Sequence, residues 1–212
     1  MKRTVSILIA LLMLFSALPL SVSALTPDYT PSSSYKSSNY YTALTNVSLT
    51  GDYHTDLVAV AASQVGYHES NSSSKLGGNS SGSYNYTEYG YWFGGNGNPW
   101  CAIFIAYCAR QAGIPTDTIA NTGLAAAYYF DVTWNECSDY NTPKKGDLIF
   151  FDYSPYSTKT PRSKYGDHVG IVEDFDGTYV YTIEGNSNNS VERCTYKVNA
   201  SSIKGYGTYT SP

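Results

Sequence analysis

Charge is scarce in this chain: Asp, Glu, Lys and Arg make up 14% of its 212 residues, and only 13 of them are cationic. With a formal net charge of −4, it lacks the basic surface that binding to nucleic acid or an anionic membrane requires. Histidine is scarcer still. His54, His68 and His168 are the only three, and no two have metal-ligand spacing such as His-x-x-x-His. The four cysteines, Cys101, Cys108, Cys137 and Cys194, form no zinc knuckle. A zinc hydrolase is therefore not expected, and no metal or other cofactor is assigned. Internal repeats, long charge runs and a second domain are all missing.

The single long apolar run lies at the start. Lys2 and Arg3 precede Val5 to Leu18, Pro19 breaks the run, and Val22-Ser23-Ala24 is a small-residue cleavage site. This pattern reads as a secretory signal peptide over residues 1–24, too short for a membrane anchor, which needs roughly 20 apolar residues. Cleavage would leave 188 residues with a net charge of −6, enough for one domain with a real core. The expected product is secreted and extracellular, free of the membrane after cleavage, and monomeric.

Residues 25–50 are rich in Ser, Thr, Tyr, Asn and Pro with little periodicity, which reads as a flexible arm. The catalytic candidates all fall in residues 51–212. A helix follows Asp52, with Leu57, Val58, Ala61, Ala62 and Val65 on one face and Gly66 at its end. Ser70 to Gly97 reads as a long polar loop carrying Tyr84, Tyr86, Tyr89, Tyr91, Trp92 and Phe93. Loops of this length are usually functional or disordered, and this one runs directly into Cys101. A further short helical piece is expected near Thr122–Tyr129. From Asp147 the period changes, and residues 147–151, 168–172, 179–184 and 191–198 read as strands. Helices first and an antiparallel sheet afterwards predict an α+β domain.

Cys101 carries the chemistry. In Asn98-Pro99-Trp100-Cys101-Ala102-Ile103-Phe104, Asn98 suits an N-cap, Pro99 suits the first turn, and Gly113 stands where a C′ glycine would end the helix. A cysteine in the first helical turn meets unpaired N–H groups and the positive end of the helix dipole, which favour the thiolate. By itself such a cysteine is more often a buried residue of a core helix.

A base would have to come from three histidines, and His168 opens a predicted strand. Asp176-Gly177 is a turn signal between that strand and the one reaching Glu184. An odd-numbered loop would set His168 directly across from Glu184, with Cβ atoms about 5 Å apart. A two-residue loop would turn Glu184 to the opposite face. Asn186, two residues on, could share the face, and either orient the imidazole or bind an oxyanion. Cys101 and Cys108 lie roughly 10 Å apart on one helix, beyond disulfide reach. If Cys101 stays free, Cys137–Cys194 is the remaining bridge; four reduced thiols are an equal alternative.

Four blocks now stand in order: Trp100-Cys101-Ala102 before an apolar helix, Gly146-Asp147-Leu148-Ile149-Phe150-Phe151, His168-Val169-Gly170-Ile171-Val172, and Ile183-Glu184-Gly185-Asn186. Together they resemble the CHAP family of cysteine, histidine-dependent amidohydrolases/peptidases, over about Thr55 to Tyr209. The resemblance implies a papain-like α+β fold with the cysteine helix packed on an antiparallel sheet. It implies Cys101 as nucleophile, His168 as base and acid, Glu184 as orienting residue and Asn186 as a further polar member. The implied substrate and partner is bacterial peptidoglycan, cut at the muramoyl–L-alanine amide or within the stem or cross-bridge peptide. The calcium site of some members is not carried over. Trp100, Tyr91 and Trp92 are expected to line the substrate groove. Three alternatives remain: the related NlpC-type peptidase, an exported glycan- or peptide-binding module with a vestigial site, and a structural surface protein.

Overall fold

The computed structural model describes residues 25–115, 133–136, 142–153 and 166–208, with the backbone alone described for 133–136. The signal segment 1–24, the helical piece expected near 122–129 and Cys137 lie outside the described residues. Among the described residues, five helices precede six strands: α1 Ser33–Lys36, α2 Asn39–Thr45, α3 Tyr53–Ala62, α4 Glu88–Phe93, α5 Cys101–Gln111, then β1 Thr133–Glu136, β2 Leu148–Phe151, β3 His168–Phe175, β4 Tyr179–Ser187, β5 Ser190–Lys197 and β6 Ile203–Thr208. The strands form one sheet in the order β1-β6-β2-β3-β4-β5, and every pairing is antiparallel. This is an α+β, papain-like domain, with β1 and β6 added to the four strands legible in the sequence.

Strand alternation explains why Leu148-Ile149-Phe150-Phe151 is apolar throughout. Leu148 and Phe150 join Val169, Ile171 and Ile183 in the core shared with α3 and α5. Ile149 and Phe151 join Val172, Val180, Ile203 and Tyr206 in a second cluster on the other face. A strand buried on both faces shows no polar alternation. Asp52 caps α3 as expected, its side chain accepting the Thr55 N–H at 2.7 Å.

Residues 25–50 are not an arm standing away from the domain. They form α1 and α2, and Tyr35 and Leu44 are fully buried. Ser32 and Ser38 cap the two helices through their side chains. The Tyr29 hydroxyl and the Ser32 N–H both donate to Glu88, and Tyr35 donates to Gln64 at 2.8 Å. Composition misleads here because the serines cap helices while the tyrosines supply the buried rings. Residues 70–97 likewise differ from a plain loop. Thr87 caps α4, Gly94 ends it at φ +75°, and Tyr89 is fully buried between Trp100, Phe104 and Tyr107.

The β3–β4 hairpin sets the site. Its loop is two residues, Gly177 and Thr178, with the Asp176 N–H bonded to the Tyr179 carbonyl and Gly177 at φ +93°. That loop alone would turn Glu184 away from His168. The register then slips at Glu173: Asp174 pairs with Tyr181, but Val172 pairs with Thr182 and Ile171 with Ile183. This β-bulge reverses the parity. Continuing the register places Glu184 beside Gly170, on the same face as His168. Glu184 occupies the room that a side chain at Gly170 would fill, its Cγ only 2.7 Å from where a Cβ would stand.

Gly185, the next residue, packs against α5. A Cβ added there would lie 2.5 Å from Phe104 Cβ and 2.7 Å from its Cγ, and Phe104 is fully buried. Gly185→Ala is expected to destabilise the domain by about 1–3 kcal/mol through overpacking. Urea unfolding checks this; an unchanged midpoint would mean that α5 is not seated on β4 as described.

Candidate active site

Cys101 is the first residue of α5, not the third as an Asn98 N-cap would make it. The N-cap is Trp100, and no side chain caps the helix. Asn98, expected as the cap, instead donates to the Gly95 carbonyl at 3.0 Å. The reason lies in Trp100, which is fully buried and whose Nε1–H donates to Glu69 Oε2 at 2.7 Å. Its ring packs on Tyr67, Tyr89 and Phe104. Anchoring that ring holds residue 100 outside helical geometry, so the helix begins at Cys101, two residues later than an Asn98 cap would set it. Gly113 does follow the last turn at φ +74°. The first-turn N–H groups of Cys101, Ala102 and Ile103 have no side-chain cap, and Cys101 itself is 6% exposed.

His168 opens β3 and meets Glu184 through Nε2···Oε2 at 2.8 Å. Cys101 lies close enough to the same imidazole to act on it through its hydrogen-bonding group and its charge. Burial alone would push the His168 proton affinity down. The hydrogen bonds and charges of Cys101 and Glu184 outweigh it, and the pKa is raised to about 10. The imidazolium is thus the resting form at neutral pH, with a carboxylate behind it and a thiol in front. The second oxygen of Glu184, Oε1, accepts the Thr182 hydroxyl at 2.5 Å.

Beside His168 lies an open cleft of about 370 Å³ lined by Tyr153, Asp167, Glu184, Asn186, Ser187 and Tyr196. The Tyr153 ring stacks on Phe151 at 5.4 Å, and its hydroxyl donates to that of Tyr196 at 3.0 Å. Burial and the nearby Glu184 push the Tyr153 hydroxyl up to about 12, so it stays a neutral donor. Asn186 enters the cleft from a bulge between Glu184 and Ser187, at φ +60°, a conformation that asparagine tolerates better than most residues.

The structure therefore brings Cys101, His168, Glu184 and Asn186 to one place. It does not bring Trp100, Tyr91 and Trp92 there. Trp100 is scaffold, Trp92 packs on Tyr107 and Phe93 at the back of α5, and Tyr91 is exposed away from the cleft lining. Sequence reading missed Thr182, Tyr153 and Tyr196. Thr182 was within reach, two residues before Glu184 on the same strand face; Tyr153 stands beyond a strand end and carries no periodic signal. Cys108 is fully buried and its thiol is pushed well up by burial, as suits a core cysteine. Cys194 is a free thiol, 3.7 Å from the Ser187 hydroxyl; Cys137, its suggested partner, is outside the described residues. Among the described residues, no group of His, Cys, Asp and Glu could hold a metal ion, and no helix is long and apolar enough to cross a membrane.

A helix-borne thiol facing a carboxylate-backed histidine on an antiparallel sheet is the arrangement of papain-like cysteine hydrolases. Residues 93–186, which span all four of these site residues, match the CHAP domain. The CHAP family is in general made up of cysteine- and histidine-dependent amidohydrolases with peptidoglycan amidase or peptidase activity. Among solved structures, "The crystal structure of Ly7917" is similar at 14% identity and a TM-score of 0.42, over 74% of this chain and 62% of that one. The present chain thus spans less than two thirds of its length. No curated protein sequence matches this one.

Proposed function

We propose that this protein is a secreted cysteine amidohydrolase or endopeptidase that cleaves amide bonds of bacterial peptidoglycan through a thiol acyl-enzyme. The observation that carries the reading is the Glu184–His168 pair set beside Cys101 at the uncapped start of α5. Cys101 as thiolate attacks the scissile carbonyl carbon, and the oxyanion is received by first-turn N–H groups of α5. As the C–N bond breaks, His168 gives its proton to the departing amine, leaving a thioester on Cys101. His168 then takes a proton from water, the hydroxide attacks the thioester, and Cys101 leaves as thiolate. Glu184 holds the imidazole in one orientation and stabilises its cationic form. Asn186 supplies a polar group at the edge of the cleft. Export by the signal segment, a monomeric state and an extracellular or cell-wall location belong to the same proposal, as does the absence of nucleic-acid or membrane partners.

The substrate runs past the Tyr153–Tyr196 wall rather than along Trp100. Tyr153→Ala removes a stacking surface worth about 0.5–1.5 kcal/mol, so KM is expected to rise about 3–10-fold with a smaller change in kcat. Steady-state kinetics on soluble muropeptides checks this; an unchanged KM would place the substrate elsewhere. The reading as a whole is tested by mass spectrometry of fragments released from purified peptidoglycan. Free muramic-acid termini with new L-alanine amines mean an amidase, and new amines within stem or bridge mean an endopeptidase. No release, together with no labelling of Cys101 by a thiol-directed probe, would favour a binding module instead.

A further inference from the structure

Glu184 has two oxygens, and both are engaged. Oε2 meets His168 at 2.8 Å and Oε1 accepts the Thr182 hydroxyl at 2.5 Å. Thr182 and Glu184 sit two residues apart on one face of β4, and both are essentially fully buried. Gly170 beneath them offers space but no donor. We propose that Thr182 is a positioning residue that keeps the Glu184 carboxylate turned towards His168, and so sets the upper pH limit of the Cys101–His168 pair.

The argument is one of donors. A buried carboxylate oxygen stripped of its hydrogen bond costs far more than the bond itself contributes. Without the Thr182 hydroxyl, Glu184 turns away from His168 to find another donor, and that weakens its hold on the imidazolium. Other groups around the carboxylate do not substitute. From α5 comes Cys101, already on the imidazole. From β5 come Glu192, opposite Glu184 in register, and Cys194, opposite Thr182 and close to Ser187. Glu192 is an anion and accepts from Ser187 and Asn188. Tyr196 and Tyr153 bond each other. Asp167, ahead of β3, accepts the Tyr153 N–H.

This inference rests on the reading of Cys101 and His168 as the reacting pair, and its test avoids any hydrolysis assay. In the full protein with isotope-labelled histidine, NMR titration follows His168, with His54 and His68 as internal references. Iodoacetamide alkylation of Cys101 is followed over the same pH range. The wild type is expected to lose the His168 proton near pH 10. Thr182→Val should lower that midpoint by about one unit or more and shift the alkylation profile with it, while Thr182→Ser restores both. Thr182→Ala, which leaves room for water, should move the midpoint in the same direction, and it serves if the valine variant does not fold. A midpoint unchanged in either variant, whatever its melting temperature, would reduce Thr182 to packing. Failure of the serine variant to restore the midpoint would overturn the proposal too. A protein that releases no peptidoglycan fragments would undo the hydrolase reading and leave the titration result standing.

Discussion

Cys101→Ala is expected to bring fragment release from peptidoglycan to background, a fall of at least about 10³-fold, with the fold intact. Removing a nucleophile leaves only what binding and oxyanion contacts can do. The truncation itself is small: one buried sulfur at a helix start, whose backbone is already held by the Trp100–Glu69 bond at 2.7 Å. Circular dichroism should match the wild type, with melting within a few degrees of it. Cys108→Ala supplies the contrast. That thiol is fully buried on the same helix, and burial keeps it protonated, so its removal should leave turnover near normal. Measurable lysis by the Cys101 variant would remove it from the mechanism.

Glu184→Gln is expected to lower kcat/KM at pH 7 by about 10²–10⁴-fold, the scale seen when the group orienting a catalytic histidine loses its charge. The pH profile is the sharper readout. In the wild type the His168 pKa is raised to about 10 against burial that would lower it. Activity that needs the imidazolium therefore persists up to that region and falls beyond it. Glutamine keeps the shape and removes the negative charge, so the alkaline limb should move down towards the ordinary histidine value of about 6.5. Stability follows the same sign. A raised pKa in the folded state contributes stability that is complete below about 6.5 and is lost as pH rises through about 10. An alkaline limb that stays in place would show that Glu184 does not govern the imidazole.

Much of this site is legible in the sequence because each block has a local reason. Cys101 stands two residues after a proline and precedes an apolar helical face; His168 opens a strand; Glu184 and Asn186 end the next one. What could not be read is how the blocks face one another. Asp176-Gly177 announces a two-residue turn, and by that count Glu184 points the wrong way. The bulge at Glu173 reverses it, and nothing in the composition of Val172-Glu173-Asp174 marks a bulge. Trp100 misleads for the opposite reason. An aromatic beside a nucleophile suggests a groove, but its indole N–H has a buried partner in Glu69, 31 residues earlier, and no local pattern reveals that. Strands β1 and β6 were missed because Thr133–Glu136 and Ile203–Thr208 show little apolar alternation; their pairing with each other and of β6 with β2 defines them.

The docking of residues 25–50 has a consequence for the order of events in the cell. Asp28 pairs with Arg110, 82 positions later, and Tyr29 and Ser32 reach Glu88, 59 and 56 positions on. A chain that leaves the ribosome or crosses a membrane from its N-terminus delivers this segment first, yet must hold it unpaired until α5 has followed. Such non-local closure is slow compared with helix formation. During that interval the tyrosines of α1 and α2 stay in water, and the α4–α5 surface they will cover lies open. The first piece of the domain to arrive is thus among the last to settle, and the nascent polypeptide carries its latch ahead of the door.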